Sequence, residues 1–161
     1  MLIFAIDPGN VESGYALIEM PDFKCMEFGK IDNFELLERV KTLPHGVDVA
    51  IEMVACYGMP VGKDVFETCV WIGRFTQALN LYKVNYIYRK EEKVELCGNM
   101  KAKDANIRQA LINRYAKFDY KTGKGTKKNP DTFYGVSKDA WQAIAVGVTF
   151  YEKEKSNGHS C

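Results

Sequence analysis

The stretch that decides the fold is LIFAIDPGNVESGYALIE, residues 2–19. An apolar run at residues 2–6 ends at Asp7, a Pro-Gly-Asn turn sequence follows, and a second apolar run covers residues 15–18. Glycine and asparagine tolerate the positive φ angles of tight turns, so the pattern predicts an antiparallel hairpin. The hairpin would hold one carboxylate rigidly at the tip of a buried strand.

Two further carboxylates stand at comparable places. The apolar strand pattern at residues 47–51 ends in Glu52, and a helical pattern at residues 140–146 begins at Asp139. Hard cations such as Mg²⁺ take oxygen ligands, and two metal ions about 4 Å apart can stabilise the attacking and leaving oxygens of a phosphodiester. Three carboxylates from three distant elements therefore predict a divalent-metal phosphodiesterase.

The periodicity predicts an α/β fold in which a mixed five-stranded sheet carries helices on both faces. Strands are expected near residues 2–7, 13–20, 24–30, 47–52 and 84–89, and helices near 33–42, within 63–81, near 102–116 and from about 137 to 154. One domain is expected over residues 1–154, followed by a flexible tail at 155–161. The connection of about twenty residues before the last helix is long for a compact domain, which favours a substrate-contacting loop.

Composition narrows the class of protein. The chain has no apolar run of eighteen residues, and its opening segment reaches an aspartate too soon for a signal peptide, so a cytoplasmic protein without a membrane partner is expected. No small-molecule organic cofactor is expected. A structural zinc site is not expected either, because the two histidines and five cysteines are widely spaced: His45, His159, Cys25, Cys56, Cys69, Cys97 and Cys161.

The charge is unevenly distributed. The net charge is +1, yet residues 83–128 hold 13 Lys and Arg against 5 Asp and Glu, an excess of eight positive charges. A basic half beside an acidic half suits a polyanionic substrate and its metal ions. The loop at residues 121–128 contains no acid, so Lys124, Lys127 and Lys128 are candidate DNA contacts. The alternative is a set of solvated helix faces.

The order of these motifs resembles the RuvC-type Holliday junction resolvases of the RNase H-like superfamily. The resemblance rests on strand-Asp-Pro-Gly-x-x-x-Ser-Gly-Tyr, an apolar strand ending in Glu, and a late Asp-Ala-x-x-Ala-x-Ala. The segment at residues 98–108 also resembles the lysine-bearing helix start that this family places beside its active site. The resemblance implies an RNase H-like fold, a homodimer, Mg²⁺ or Mn²⁺, and paired nicking of four-way DNA junctions.

Site residues follow from the resemblance position by position. It implies that Asp7, Glu52 and Asp139 hold the metal ions, and that Lys103 and Lys101 support the scissile phosphate. The family commonly carries a fourth acid or a histidine three residues from the other acid of the last helix. That position is Gln142 if Asp139 is the first of the pair, and Val136 if it is the second. The small residues stay in phase in the first register, which makes Gln142 a neutral metal ligand.

Each carboxylate also has a purely structural interpretation. Asp7 suits a hairpin turn, Asp139 suits a position near a helix start, and Glu52 alone is a weak signal. For the whole chain two other functions stay open. One is a nuclease-derived protein that binds branched DNA with weak or no catalysis. The other is an actin-like nucleotide-binding fold, although the chain is short for its two domains and carries no second glycine-rich phosphate loop.

Two apolar features bear on how the protein would bind DNA and form a dimer. Tyr57 follows Glu52 in a loop that should rim the site, where it either stacks on an unpaired base or packs under the loop. The helical segment at residues 65–75 is apolar over more than one face, so it is either deeply buried or part of a subunit interface. Phe66 to Phe75 is the candidate interface of the expected homodimer.

Overall fold

A computed structural model describes residues 1–158 of the chain. The strands are β1 (Leu2–Asp7), β2 (Glu12–Glu19), β3 (Lys24–Asp32), β4 (Asp48–Met53) and β5 (Val84–Tyr88). The helices are α1 (Asn33–Val40), α2 (Lys63–Ala78), α3 (Arg89–Cys97), α4 (Asp104–Tyr115) and α5 (Lys138–Gly158).

The five strands form one mixed sheet in the order β3-β2-β1-β4-β5. The first three strands pair antiparallel, whereas β4 joins β1 and β5 joins β4 in parallel. The sequence-based prediction of a mixed five-stranded sheet is confirmed. Since β1, β4 and β5 are parallel, their carboxyl ends meet at one edge of the sheet.

The sheet separates two hydrophobic cores, and the side chains of β1 alternate between them. Ile3 and Ala5 pack into a cluster with α4 and α5, whereas Phe4 and Ile6 pack into a second cluster with α1 and α2. All four side chains have no exposed surface. Helices therefore cover both faces of the sheet, as predicted, and α5 lies directly against β1 and β2.

The helices differ from the prediction at two places. Helix α3 (Arg89–Cys97) was not predicted, because its sequence RKEEKVELC is mostly charged and presents few apolar positions. Helix α5 continues to Gly158, so residues 155–158 are helical where a flexible tail was expected. The remainder of that predicted tail, residues 159–161, lies outside the described residues. No helix in the described part of the chain combines the length and apolar character needed to span a bilayer.

The long connection between α4 and α5 is held by two aspartates. The carboxylate of Asp131 accepts hydrogen bonds from the backbone N–H groups of Lys117, Phe118, Asp119 and Thr132 at 2.7–3.0 Å. Although burial by itself would raise it, these donors hold the pKa of Asp131 below its usual range. The Asp119 carboxylate accepts further N–H groups of the same loop. The basic loop is thus a built element that presents its lysines in a defined shape.

Replacing Asp131 with Ala is expected to lower the free energy of unfolding by about 1–3 kcal/mol, because backbone N–H groups lose their acceptor. A carboxylate whose pKa is lowered by folding stabilises the native state above the ordinary aspartate pKa, and this contribution disappears as the pH falls. Chemical denaturation at neutral and acid pH checks both points. Equal stability of the two proteins at neutral pH would show that the loop does not depend on Asp131.

Candidate active site

Asp7 and Glu52 lie side by side at the carboxyl edge of the sheet. Ile6 is opposite Ile51 in the parallel pairing of β1 with β4, which brings the next residue of each strand together. The two carboxyl groups are adjacent, and each acts on the pKa of the other. Burial and then the charge of Glu52 raise the pKa of Asp7 to about 8. Burial and the charge of Glu92 raise the pKa of Glu52 to about 7. Two acids in such a setting favour any cation that can replace the proton.

The turn after Asp7 is fixed by buried polar contacts. The Ser13 hydroxyl accepts from the N–H of Gly9 at 3.1 Å and donates to Asn33 Oδ1 at 2.6 Å, while Asn33 Nδ2 donates to the Gly9 carbonyl at 2.9 Å. Gly9 does not have a positive φ, contrary to the prediction. It is needed for space, because a Cβ there would lie 2.2 Å from the carbonyl oxygen of Glu12.

Asp139 reaches the same edge through a close approach of helix and sheet. Gly14 is opposite Asp7 in the β1–β2 pairing. A Cβ on Gly14 would lie 2.7 Å from the Asp139 carbonyl oxygen and 3.6 Å from Asp7 Cβ. The Asp139 side chain is half exposed and forms an ion pair with Lys30 at 3.5 Å. Its charge also acts on Asp7. The three predicted carboxylates therefore meet around one end of the sheet.

A further acid, Glu92, was missed in the sequence. It lies on α3 and its side chain has no exposed surface. Its charge acts on both Asp7 and Glu52. Burial raises the pKa of Glu92 to about 8 although Arg89 opposes the shift.

Arg89, also on α3, connects Glu92 to the last helix. Its Nη1 atom donates to Glu92 Oε2 at 2.5 Å and to Gln142 Oε1, and its Nη2 atom donates to Asp104. Gln142 is therefore directed toward the acids. Val136 is buried in the core instead, where only 1% of its surface is exposed. Of the two positions that the sequence left open, Gln142 contacts Arg89 and Val136 does not face the acids.

Two sequence signals mark the missed helix. Glu91 at its third position accepts a hydrogen bond from the backbone N–H of Tyr88 at 2.7 Å, which is half of a capping box. Gly98 ends the helix in the left-handed conformation with φ of 65°. An acid near the start and a glycine after the end of a charged run indicate a helix even where apolar periodicity is weak.

Of the predicted phosphate and base contacts, Lys103 and Tyr57 adjoin residues of this site, whereas Lys101 lines a separate cavity beside α4. Lys103 is exposed immediately before α4 and precedes Asp104, the residue bound by Arg89. Lys101 is exposed in the turn before it. Tyr57 is 69% exposed, which excludes packing under its loop, and it lines a groove together with Arg89.

Basic residues extend from the acids toward the long loop. Arg108 lines a small cavity with Asp104 and Gln142, and it also lines a larger cavity of about 470 Å³ with Lys124 and Lys121. Arg108 was not singled out from the sequence. Lys127 and Lys128 are exposed farther along the loop. Arg108 therefore connects the surroundings of Asp104 and Gln142 with the first lysines of the loop.

The donor set is chemically suited to a hard divalent cation. Asp7, Glu52, Glu92 and Asp139 offer only oxygen atoms, as Mg²⁺ and Mn²⁺ prefer. Within residues 1–158, no three Asp, Glu, His or Cys side chains have the geometry of a preformed metal site. Burial and neighbouring carboxylates nevertheless raise the pKa values of Asp7 and Glu52, which a bound cation would reverse.

Comparison with solved structures identifies the fold. The structure of Thermus thermophilus RuvC is similar to this chain with a TM-score of 0.67 and 15% identity, covering 98% of this chain and 97% of that one. The structure of T. thermophilus RuvC in complex with its Holliday junction substrate gives a TM-score of 0.69 and 13% identity, covering 98% and 96%. No family model and no curated protein sequence matches the chain.

Proposed function

We propose, from the premise that this chain has a RuvC-like, RNase H-like fold, that it is a divalent-metal-dependent endonuclease of branched DNA. Its expected substrate is the four-way junction, cut by paired nicking. The observation that carries the proposal is the pair of adjacent, half-buried carboxylates Asp7 and Glu52, joined at the same sheet edge by Asp139. A purely structural role would not require acids from three distant elements to meet where their charges repel.

The roles of the residues follow from their places. Asp7, Glu52 and Asp139 would hold Mg²⁺ or Mn²⁺, with the Gln142 amide oxygen as a neutral fourth ligand. A bound divalent cation would supply an activated water and stabilise charge on the phosphate. The carboxylates would orient that cation, because β1, β4 and α5 fix their main chain. Lys103 and Lys101 would bind the phosphate as cationic support.

The DNA-binding surface would follow the basic residues. Arg108 and Lys124 line one cavity, so the path from the acids to the loop lysines is continuous. Tyr57 stands exposed at the other side of the acids, where stacking on an unpaired base would contribute about 1–3 kcal/mol. A row of cations and an exposed aromatic side chain together suit branched DNA, in which the backbone bends away from the duplex and some bases are unpaired.

A second candidate is a protein that binds branched DNA without cutting it. It is favoured by Gln142, which is neutral, and by Arg89, whose guanidinium already neutralises part of the acidic cluster. The actin-like alternative is not supported, because the strands of residues 1–158 form one sheet and the chain is similar to the RuvC structure over nearly its whole length.

One experiment separates the two nuclease-fold candidates. The protein is incubated with synthetic four-way junction, flap and linear duplex DNA, with and without Mg²⁺ and Mn²⁺. Cleavage of the branched substrates only with metal is expected. Tight, metal-independent binding of the junction without any nicking would support the non-cleaving protein instead.

Paired nicking requires two active sites related by a two-fold axis, so we propose a homodimer. Helix α2 fits as the interface: Phe66 and Val70 are each 62% exposed, while Phe75 on its other face is fully buried. Phe34, 61% exposed beside Trp71, extends this apolar surface.

Replacing Val70 with Asp is therefore expected to raise the dimer dissociation constant at least tenfold, because a charge would be buried between subunits. Sedimentation or light scattering at micromolar concentration measures it. Lys63→Gln, at the exposed start of the same helix, is the control for the same change in net charge. A Val70→Asp protein that remains as dimeric as the parent would exclude this face.

A further inference from the structure

We propose that Glu92 is the fourth carboxylate of the candidate metal site, supplied by α3 rather than by α5. The inference rests on the proposed function and adds a residue that the resemblance does not imply. It explains how a site with neutral Gln142 could still hold a divalent cation.

The first observation is an unsatisfied atom. Glu92 has no exposed side-chain surface, and its Oε1 atom has no hydrogen-bond partner within residues 1–158. Its Oε2 atom accepts from Arg89 at 2.5 Å. A buried carboxylate is costly unless both oxygens are matched, so half of this group lacks the partner that such an environment requires.

The second observation is the position of that carboxylate. One nitrogen, Arg89 Nη1, contacts both Glu92 Oε2 and Gln142 Oε1. Glu92 therefore stands next to the side chain at which the resemblance predicts a fourth acid. Its negative charge also acts on Asp7 and Glu52, which places it on the same side of the sheet edge.

The alternative is that Glu92 only anchors Arg89. An anchor needs one oxygen, whereas the free Oε1 atom and the acidic neighbours point to a second, cationic partner. Loss of an anchor would disturb Arg89 but would leave the affinity for metal nearly unchanged. Loss of a ligand would weaken metal binding itself, in the absence of DNA.

The test is direct titration of the DNA-free protein with Mn²⁺, followed by electron paramagnetic resonance of the unbound ion. Glu92→Gln keeps the shape and the oxygen facing Arg89, and is expected to weaken Mn²⁺ binding about tenfold or more. Glu95→Gln, one turn along α3 on an exposed residue, removes the same charge and is expected to stay within twofold. The double variant Glu92→Gln/Gln142→Glu moves the carboxylate across Arg89 and is expected to restore binding to within about threefold.

The outcomes separate this inference from the proposed function. Asp7→Asn is the reference: if it leaves Mn²⁺ binding unchanged, the proposed metal site is wrong. If Asp7→Asn loses binding while Glu92→Gln stays within twofold, only the role of Glu92 is overturned. Failure of the double variant to recover binding also overturns it, because Glu92 then acts through Arg89. If Glu92→Gln loses its circular dichroism signature, the double variant alone decides: restored affinity supports the proposal, and tenfold weaker binding overturns it.

Discussion

Replacing Asp7 with Asn is expected to reduce metal-dependent cleavage of four-way junctions by about 10³-fold or more, while junction binding changes only a few-fold. The reason is that Asp7 would hold the metal ion, whose stabilisation of charge in the transition state contributes several kcal/mol, and each 1.4 kcal/mol is about a factor of ten in rate. Affinity for DNA comes instead from cations that meet phosphates. Single-turnover cleavage and a separate binding titration in Ca²⁺ measure the two effects.

Glu52→Gln and Asp139→Asn should behave in the same way. The matched control is Asp48→Asn, because Asp48 begins β4 at the opposite edge of the sheet from Glu52. It should cut at the parental rate. Nicking at a normal rate by the Asp7→Asn protein would remove Asp7 from the catalytic site and would favour the non-cleaving interpretation.

Replacing Lys124, Lys127 and Lys128 together with Ala is expected to weaken binding to every DNA shape by about 10–100-fold at moderate salt. Each phosphate contact contributes about 0.9 to the slope of log affinity against log salt, so the slope should fall by up to about three. Fluorescence anisotropy with junction and linear duplex DNA over a salt series measures both quantities. The preference for the junction should persist, because contacts to phosphates carry no information about shape.

The control is a second triple variant that removes the same charge at the sheet edge opposite Asp7. Lys24 begins β3, Lys83 immediately precedes β5, and Lys41 follows the end of α1. Replacing these three with Ala should leave the salt slope within about half a unit of the parent. Equal slopes for both triple variants would mean that the basic loop does not contact DNA.

The sequence was sufficient for the sheet and for the elements that carry Asp7, Glu52 and Asp139. Apolar runs that end in an acid are local signals, and parallel pairing then brings strand ends together. The same reasoning could not find Glu92 or Arg89, because α3 is recognised by its capping residues rather than by apolar periodicity. Nor could it show how the basic loop is held, because the hydrogen bonds of Asp131 reach residues more than ten positions away.

The close contact at Gly14 has a thermodynamic consequence for Asp7 and Asp139. These residues stand at opposite ends of the sequence, yet Gly14 of β2, opposite Asp7, leaves no room for a methyl group against the Asp139 carbonyl. Their separation is therefore set by main chain that folding has already ordered, and much less by the rotamers of flexible side chains. Little conformational entropy remains to be lost when a ligand bridges them, so the free energy of that contact can appear largely as affinity.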